Sequence, residues 1–239
     1  MKNQITRSKL FLFSFAIAAC LSFTVQAQSS HKVYQATPTT DGSIKIDGVK
    51  DEADWKKVKI IDEFVNPWNK EVNAKTELSL LYDSKYLYFF YETIDEDIVL
   101  VDDYKGETSI GKEDRVELFF STDSELSLYY GFEIDPLGRV MDYSAKHYRK
   151  FDYKWNLEGI ITSGKILDNG YVVEGAIPLS FLREVAGNDC EIYFGAYRGE
   201  FSKNEKGETV ENWLTIVDPQ TPRPDFHVPT SFAKLRFCK

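Results

Sequence analysis

Apolar and polar residues alternate with a period of two along most of this chain. In Thr76-Glu77-Leu78-Ser79-Leu80-Leu81-Tyr82 the two classes nearly exchange at each step. After Asp83-Ser84-Lys85 the run from Tyr86 to Thr93 continues the pattern, so the spacing predicts a β-hairpin. Further strands are predicted over 115–121, 128–134, 139–143, 156–162, 171–177, 191–197, 212–216 and 233–237. Asp168-Asn169-Gly170 supplies residues that tolerate positive φ in a tight hairpin between Ile166 and Tyr171. Helical spacing is confined to about two turns over 50–58 and a short stretch from Pro178 to Glu184, with Pro at a first helical position. Many strands, Gly/Asn/Asp turns and little helix predict an all-β fold, an antiparallel β-sandwich or jelly roll with one or two short helices.

The N-terminus carries a different pattern. Lys2, Arg7 and Lys9 precede an apolar run from Leu10 to Ala19 that continues weakly to Val25, the arrangement of a secretory signal. Val25-Gln26-Ala27 offers a small-residue cleavage site, ending the signal at residue 27. Ile17-Ala18-Ala19-Cys20 instead resembles a lipobox that would end the signal before Cys20 and leave that residue lipidated. Apolar character past Cys20 favours the first. Export is expected either way, to the periplasm or cell exterior, or to the outer membrane if Cys20 is lipidated. No second run of about 20 apolar residues is present to span a membrane. With no repeat, Pro-rich linker or like-charge block beyond the signal, the reading is a polar lead-in over 28–40 and a single domain over 41–239.

Charge narrows the partners. The 239 residues carry a formal charge of −9, and removing the signal takes away three basic residues and no acidic one. DNA, RNA and anionic membranes are therefore excluded as expected partners, while neutral or cationic ligands remain. Cys190 and Cys238 are too few for a disulfide framework, and nothing in the sequence brings them together, so separate thiols are the simpler expectation beside a single bridge. His31, His147 and His227 have no zinc-type spacing. No G-x-S-x-G, G-x-x-x-x-G-K-[ST], H-E-x-x-H or G-x-G-x-x-G motif occurs, which moves the expectation from catalysis toward binding. No cofactor is expected. Asp95-Glu96-Asp97 and Asp102-Asp103 offer oxygen atoms for a structural calcium, without the spacing of an EF-hand loop.

One constellation bears on chemistry. Alternation puts Arg115, Glu117 and Phe119 on one face of their strand, and Glu133 and Asp135 on one face of theirs. If the strands pair, Arg115, Glu117, Glu133 and Asp135 form a polar patch. Carboxylates accept from neighbouring sugar hydroxyls and Arg donates in a fixed fork. The same carboxylates have the chemistry of a glycosidase acid and base. From spacing alone, a solvated sheet face with cross-strand ion pairs is the simplest account, sugar binding second and catalysis third. Trp55 and Trp213 read as core, Trp155 is ambiguous, and Trp68 in Asn66-Pro67-Trp68-Asn69 is expected on a loop, where its face could stack on a pyranose.

Taken in order, several segments resemble the family 9 carbohydrate-binding modules and their DOMON-like relatives. They are Ile46-Asp47-Gly48-Val49-Lys50-Asp51-Glu52-Ala53-Asp54-Trp55, Leu80-Leu81-Tyr82-Asp83-Ser84-Lys85-Tyr86-Leu87-Tyr88-Phe89, Asp114-Arg115-Val116-Glu117-Leu118-Phe119, Tyr130-Gly131-Phe132-Glu133-Ile134-Asp135-Pro136-Leu137-Gly138, Gly170-Tyr171-Val172-Val173-Glu174-Gly175-Ala176-Ile177-Pro178, and the closing Phe226-His227-Val228-Pro229 with Phe232-Ala233-Lys234-Leu235-Arg236-Phe237. The resemblance implies a β-sandwich that binds sugars, is associated with secreted polysaccharide-degrading enzymes, and in some members holds calcium. It implies an acidic pocket residue at Glu117, with Glu133 and Asp135 beside it. It also implies two tryptophans clamping a sugar, and here the chain departs from the pattern: Ser109-Ile110-Gly111 stands at the first position and Phe226-His227 near the second. Stacking is then expected from Trp68, Phe226 or His227. Three functions are carried forward in order: a non-catalytic carbohydrate-binding protein with Arg115 in its site, acting alone or beside a separate polysaccharide-degrading enzyme; a glycoside-processing enzyme using Glu117 and Glu133; and an envelope structural domain that has lost its sugar site.

Overall fold

The computed structural model describes residues 31–72 and 74–238. The predicted signal, Cys20 and the first residues of the lead-in lie outside the described residues.

Two sheets form a sandwich, as the alternation predicts. The larger contains β1 (Val33–Gln35), β5 (Arg115–Ser121), β6 (Tyr129–Ile134), β7 (Val140–Lys146), β8 (Lys150–Asp152), β11 (Glu191–Lys203), β12 (Thr209–Thr215) and β13 (Ala233–Arg236). Their order is β1-β13-β11-β5-β6-β7-β8, with β12 paired to the far half of β11. The smaller runs β2 (Thr37–Pro38), β3 (Thr76–Tyr82), β4 (Tyr86–Ile94), β10 (Gly170–Pro178), β9 (Ile161–Leu167). Most neighbours are antiparallel; β1 with β13 and β2 with β3 are parallel.

Inward faces of both sheets build one core. Val116, Leu118 and Phe120 of β5 and Phe132 and Ile134 of β6 meet Leu78, Leu80, Phe89, Tyr91, Tyr171 and Val173 across the sandwich. The outward faces are covered as well. Trp55, in a 3-10 turn at Ala53–Lys57, packs with Tyr88 and Phe90 on the back of the smaller sheet, which is why Tyr86 to Tyr91 is almost uniformly apolar. On the back of the larger sheet, Phe119, Tyr129, Tyr143 and Tyr197 are roofed by Phe226 and Phe232 from the segment leading to β13. The first helical prediction is thus realised as a 3-10 turn. The second is α1 (Leu179–Val185), which Pro178 precedes as the last residue of β10.

Several strand limits move. The strand expected over 156–162 begins only at Ile161, because the Asp142 carboxylate captures the Leu157 amide at 2.8 Å and the Asn156 side chain at 3.1 Å and holds that stretch as a loop. Trp155 in the same loop packs on Tyr130 (4.7 Å between rings) and Phe181 (5.7 Å) at the rim of the core. β11 is nearly twice the predicted length, its first part pairing with β13 and its later part with β12. Among the described residues no helix is long and apolar enough to cross a membrane. In the first acidic loop proposed for calcium, Asp95 is fully buried against Arg198 (Oδ2 to Nη2, 2.8 Å), whereas Asp102 and Asp103 are exposed. Among the described residues no group of three or more His, Cys, Asp or Glu is arranged to hold a metal.

Candidate functional site

Strand register assembles the site. Glu117 of β5 lies directly opposite Glu133 of β6 on one side and Tyr197 of β11 on the other, so all three project from the same, outer face. One step along, Phe119 faces Gly131 and Gly195, and Gly131 faces Tyr143. Neither glycine is replaceable by a larger residue without displacement. A Cβ on Gly131 would come 2.4 Å from the Tyr143 ring, and one on Gly195 2.0 Å from the Tyr197 hydroxyl. Both tyrosines therefore lie across the sheet, and Tyr143 lines a cleft of about 810 Å³. That volume is within the roughly 300–1,000 Å³ of small-ligand sites.

Arg115 sits at the floor between two carboxylates. Its Nε donates to Glu117 Oε1 at 2.9 Å and is 2.6 Å from Glu133 Oε2, while Nη1 donates to the Glu113 carbonyl at 3.1 Å. The remaining Glu133 oxygen accepts from the Tyr143 hydroxyl at 2.9 Å. All three charged side chains are nearly buried. Burial, and then the Glu133 charge, push the Glu117 carboxyl well above the ordinary range, against the pull of Arg115. The guanidinium is stacked over Trp213, 5.0 Å from its ring centre, and near Phe201 at 5.4 Å.

Aromatic walls stand at the two sides of the sheet. Trp213 rises from β12. On the other side Phe151 of β8 stacks on Tyr153 (5.4 Å, 25° between planes), and Tyr143 meets both edge-on. Tyr153 is half exposed. The segment 221–227 closes the cleft: Asp225 accepts from the Tyr148 hydroxyl at 2.6 Å and from Arg149 Nη2 at 2.9 Å, clasping it to the β7–β8 turn. Burial alone would raise the Asp225 carboxyl, but the Tyr148 and His227 hydrogen bonds and the Arg149 charge hold it below the usual range.

The residues singled out from sequence separate into three groups. Arg115, Glu117 and Glu133 come together on the cleft floor. Phe226 and His227 line the cleft but are largely enclosed by protein: Phe226 is stacked on Tyr197 at 4.2 Å and 14°, and His227 Nδ1 is 3.0 Å from the Tyr129 hydroxyl. Burial, followed by the nearby Arg149 charge, lowers the His227 imidazole to about 3, so the ring is neutral. Asp135 and Trp68 do not reach the cleft, and both expectations are corrected. Asp135, one residue beyond the end of β6, is fully buried and accepts from the Leu137 amide (2.9 Å), the Arg139 amide (2.8 Å) and the Arg139 side chain, so it fixes a hairpin turn. Trp68 packs behind Phe226 (5.9 Å), its indole N–H donating to the Thr221 carbonyl at 2.9 Å, and braces the closing segment from outside. Trp213, read from sequence as core, lines the cleft instead. Its alternation with inward Leu214 and Ile216 was the available signal.

Carboxylates with spare acceptor capacity, a fixed guanidinium and partly exposed aromatic faces can hydrogen-bond and stack on a polyhydroxylated ring. Three solved structures share the fold. The first, from Bacteroides uniformis and described as a candidate carbohydrate-binding protein, superposes with a TM-score of 0.65 at 15% identity, covering 87% of this chain and 100% of that one. A family 9 carbohydrate binding module from Caldicellulosiruptor kristjanssonii in complex with glucose gives 0.58 at 19% identity, over 87% of this chain and 96% of the module. The same organism's family 9 module in complex with cellotriose gives 0.58 at 18%, over 85% and 93%. No curated protein matches the chain. The family model described as "Carbohydrate family 9 binding domain-like" matches residues 46–238, most of the sequence and every strand from β3 onward, and the chain belongs to that family.

Proposed function

We propose that this protein is an exported, non-catalytic carbohydrate-binding protein whose ligand occupies the cleft floored by Arg115, Glu117 and Glu133. The observation that carries the reading is the Arg115 guanidinium fixed between two carboxylates beneath the partly exposed rings of Trp213 and Tyr153. In water such charges lose most of their directionality. On a buried floor their hydrogen-bonding groups are pre-oriented for hydroxyls, while the rings contribute apolar contact with the sugar's C–H face. Glucose and cellotriose, the ligands of the two Caldicellulosiruptor modules, are the first compounds to test.

The acid–base alternative gains no support from the geometry. Both Glu133 oxygens are engaged, one by Arg115 and one by Tyr143, so Glu133 does not stand free as the second member of an acid–base pair with Glu117. With no catalytic group assigned, the protein would act by attachment, alone or beside a separate polysaccharide-degrading enzyme. Isothermal titration against glucose, cellotriose and a panel of plant and host glycans tests the proposal. Saturable heat with at least one glycan is expected; no heat with any, from a sample shown to be folded, contradicts it.

A further inference from the structure

Cys190 and Cys238 are 48 positions apart in the sequence, yet the fold brings them together. Cys190 immediately precedes β11 and Cys238 lies just past β13, and these strands are antiparallel neighbours with Glu191 opposite Arg236. The register continues one step beyond the strands: the Phe237 amide donates to the Cys190 carbonyl at 3.0 Å. Phe237 is anchored in the core, and the Gln35 side-chain amide donates to the Cys238 carbonyl at 3.3 Å, so the end of the chain is held from both sides. Cys238 is thus one residue past direct opposition to Cys190, beyond the end of β13 where the regular alternation of the strand has stopped. The two thiols are close enough to act on each other's charge, and both act on the nearby Tyr82 hydroxyl. Cys190 is exposed and Cys238 partly so, leaving the pair open to a dissolved oxidant.

We propose that Cys190 and Cys238 are the site of an intramolecular disulfide that closes the segment carrying one wall of the cleft. The oxidant is of the disulfide class, a small-molecule or protein disulfide. One cysteine thiolate attacks it, forming a mixed disulfide and releasing one thiol. The second thiolate displaces the other thiol and completes the Cys190–Cys238 bond. The two cysteine protons end on the two thiols released, and the electron pair from the cysteine sulfurs reduces the oxidant's disulfide. The loop so closed contains β11, β12 and the segment to β13, and with them Trp213, Asp225, Phe226 and His227. Cross-linking its ends removes conformations from the unfolded chain while asking for little movement in the folded one. This inference stands independently of the sugar reading.

The full chain, equilibrated with oxidised glutathione, would be alkylated under denaturing conditions, digested and mapped by mass spectrometry, with thermal unfolding followed with and without a thiol reductant. The expected result is a Cys190–Cys238 linked peptide in monomeric protein, and a midpoint that reductant lowers by roughly 5–10 °C. In C238S, and independently in C190S, reductant should leave the midpoint unchanged. Alkylation of both thiols, separate glutathione adducts, a bridge to Cys20 or to a second molecule, or a linked peptide with no reductant-sensitive shift would overturn the proposal.

Discussion

Two tryptophans exchange the roles that their sequence context suggests. Trp68 has a turn-like setting and looks displayed, yet its indole N–H is committed to the Thr221 carbonyl and its ring to Phe226. Trp213 sits between apolar and polar neighbours in a strand and looks internal, yet it lines the cleft and carries the Arg115 guanidinium on its face. Trp213→Ala is therefore expected to weaken glycan binding roughly tenfold or more, with a small change in melting temperature. Trp68→Ala should lower the melting temperature measurably and weaken binding only through the loosened closing segment. Titration and thermal unfolding of both variants check this pair; equal binding losses in the two would contradict the assignment. The buried floor is more demanding. Arg115 lies between two acidic side chains that are almost out of water, so it serves the stability of the sheet as well as the chemistry of the cleft.

At the level of elements, period-two alternation was informative wherever a strand has one buried face or two different ones. It separated Val116, Leu118 and Phe120 from Arg115, Glu117 and Phe119, and the register β11-β5-β6-β7 then placed Glu117 and Glu133 side by side. Alternation fails where its assumption fails. Asp135 keeps the phase of Glu133 but lies past the end of β6, where the chain turns and Arg139 takes the carboxylate. The stretch from Trp155 to Leu157 has apolar residues at strand spacing, yet Asp142 holds it as a loop. The clasp of Tyr148, Arg149 and Asp225 joins a hairpin turn to a segment 76 residues away, a contact that no local pattern encodes. β8 and the short strands β1 and β2 were likewise too brief to show a period. Fold class and cleft floor were thus legible from local pattern, and the walls were not, because they rest on long-range closure.

Across the whole molecule, buried ionisable groups make stability depend on pH in both directions. Burial raises the Glu174 carboxyl to about 7, with the Asp47 and Gly48 amides only partly offsetting it. The folded state then binds more protons than the unfolded chain between about pH 4.3 and 7, so this contribution is full below that window and is lost as pH rises through it. Glu117 works in the same direction. His227, lowered to about 3, works in the opposite sense: its contribution is full above about pH 6.5 and is lost as pH falls toward 3. Melting temperature is therefore expected to fall between pH 6 and 8. Glu174→Gln, which mimics the protonated acid, should flatten that fall; an unchanged slope in the variant, measured by thermal unfolding across the range, would contradict the account.

The central claim is that a saccharide is held over Arg115, Glu117 and Glu133, on the outer face of the larger sheet. An amide-resolved NMR titration of the isotopically labelled protein with whichever glycan gives heat in the calorimeter tests it most directly. The shifted resonances should centre on the backbone amides of Arg115, Glu117 and Glu133 and on the indole N–H of Trp213, saturating together with one dissociation constant. Shifts centred elsewhere, for example around Tyr130, Trp155 and Phe181 at the rim of the core, with the Trp213 indole unmoved, would contradict it.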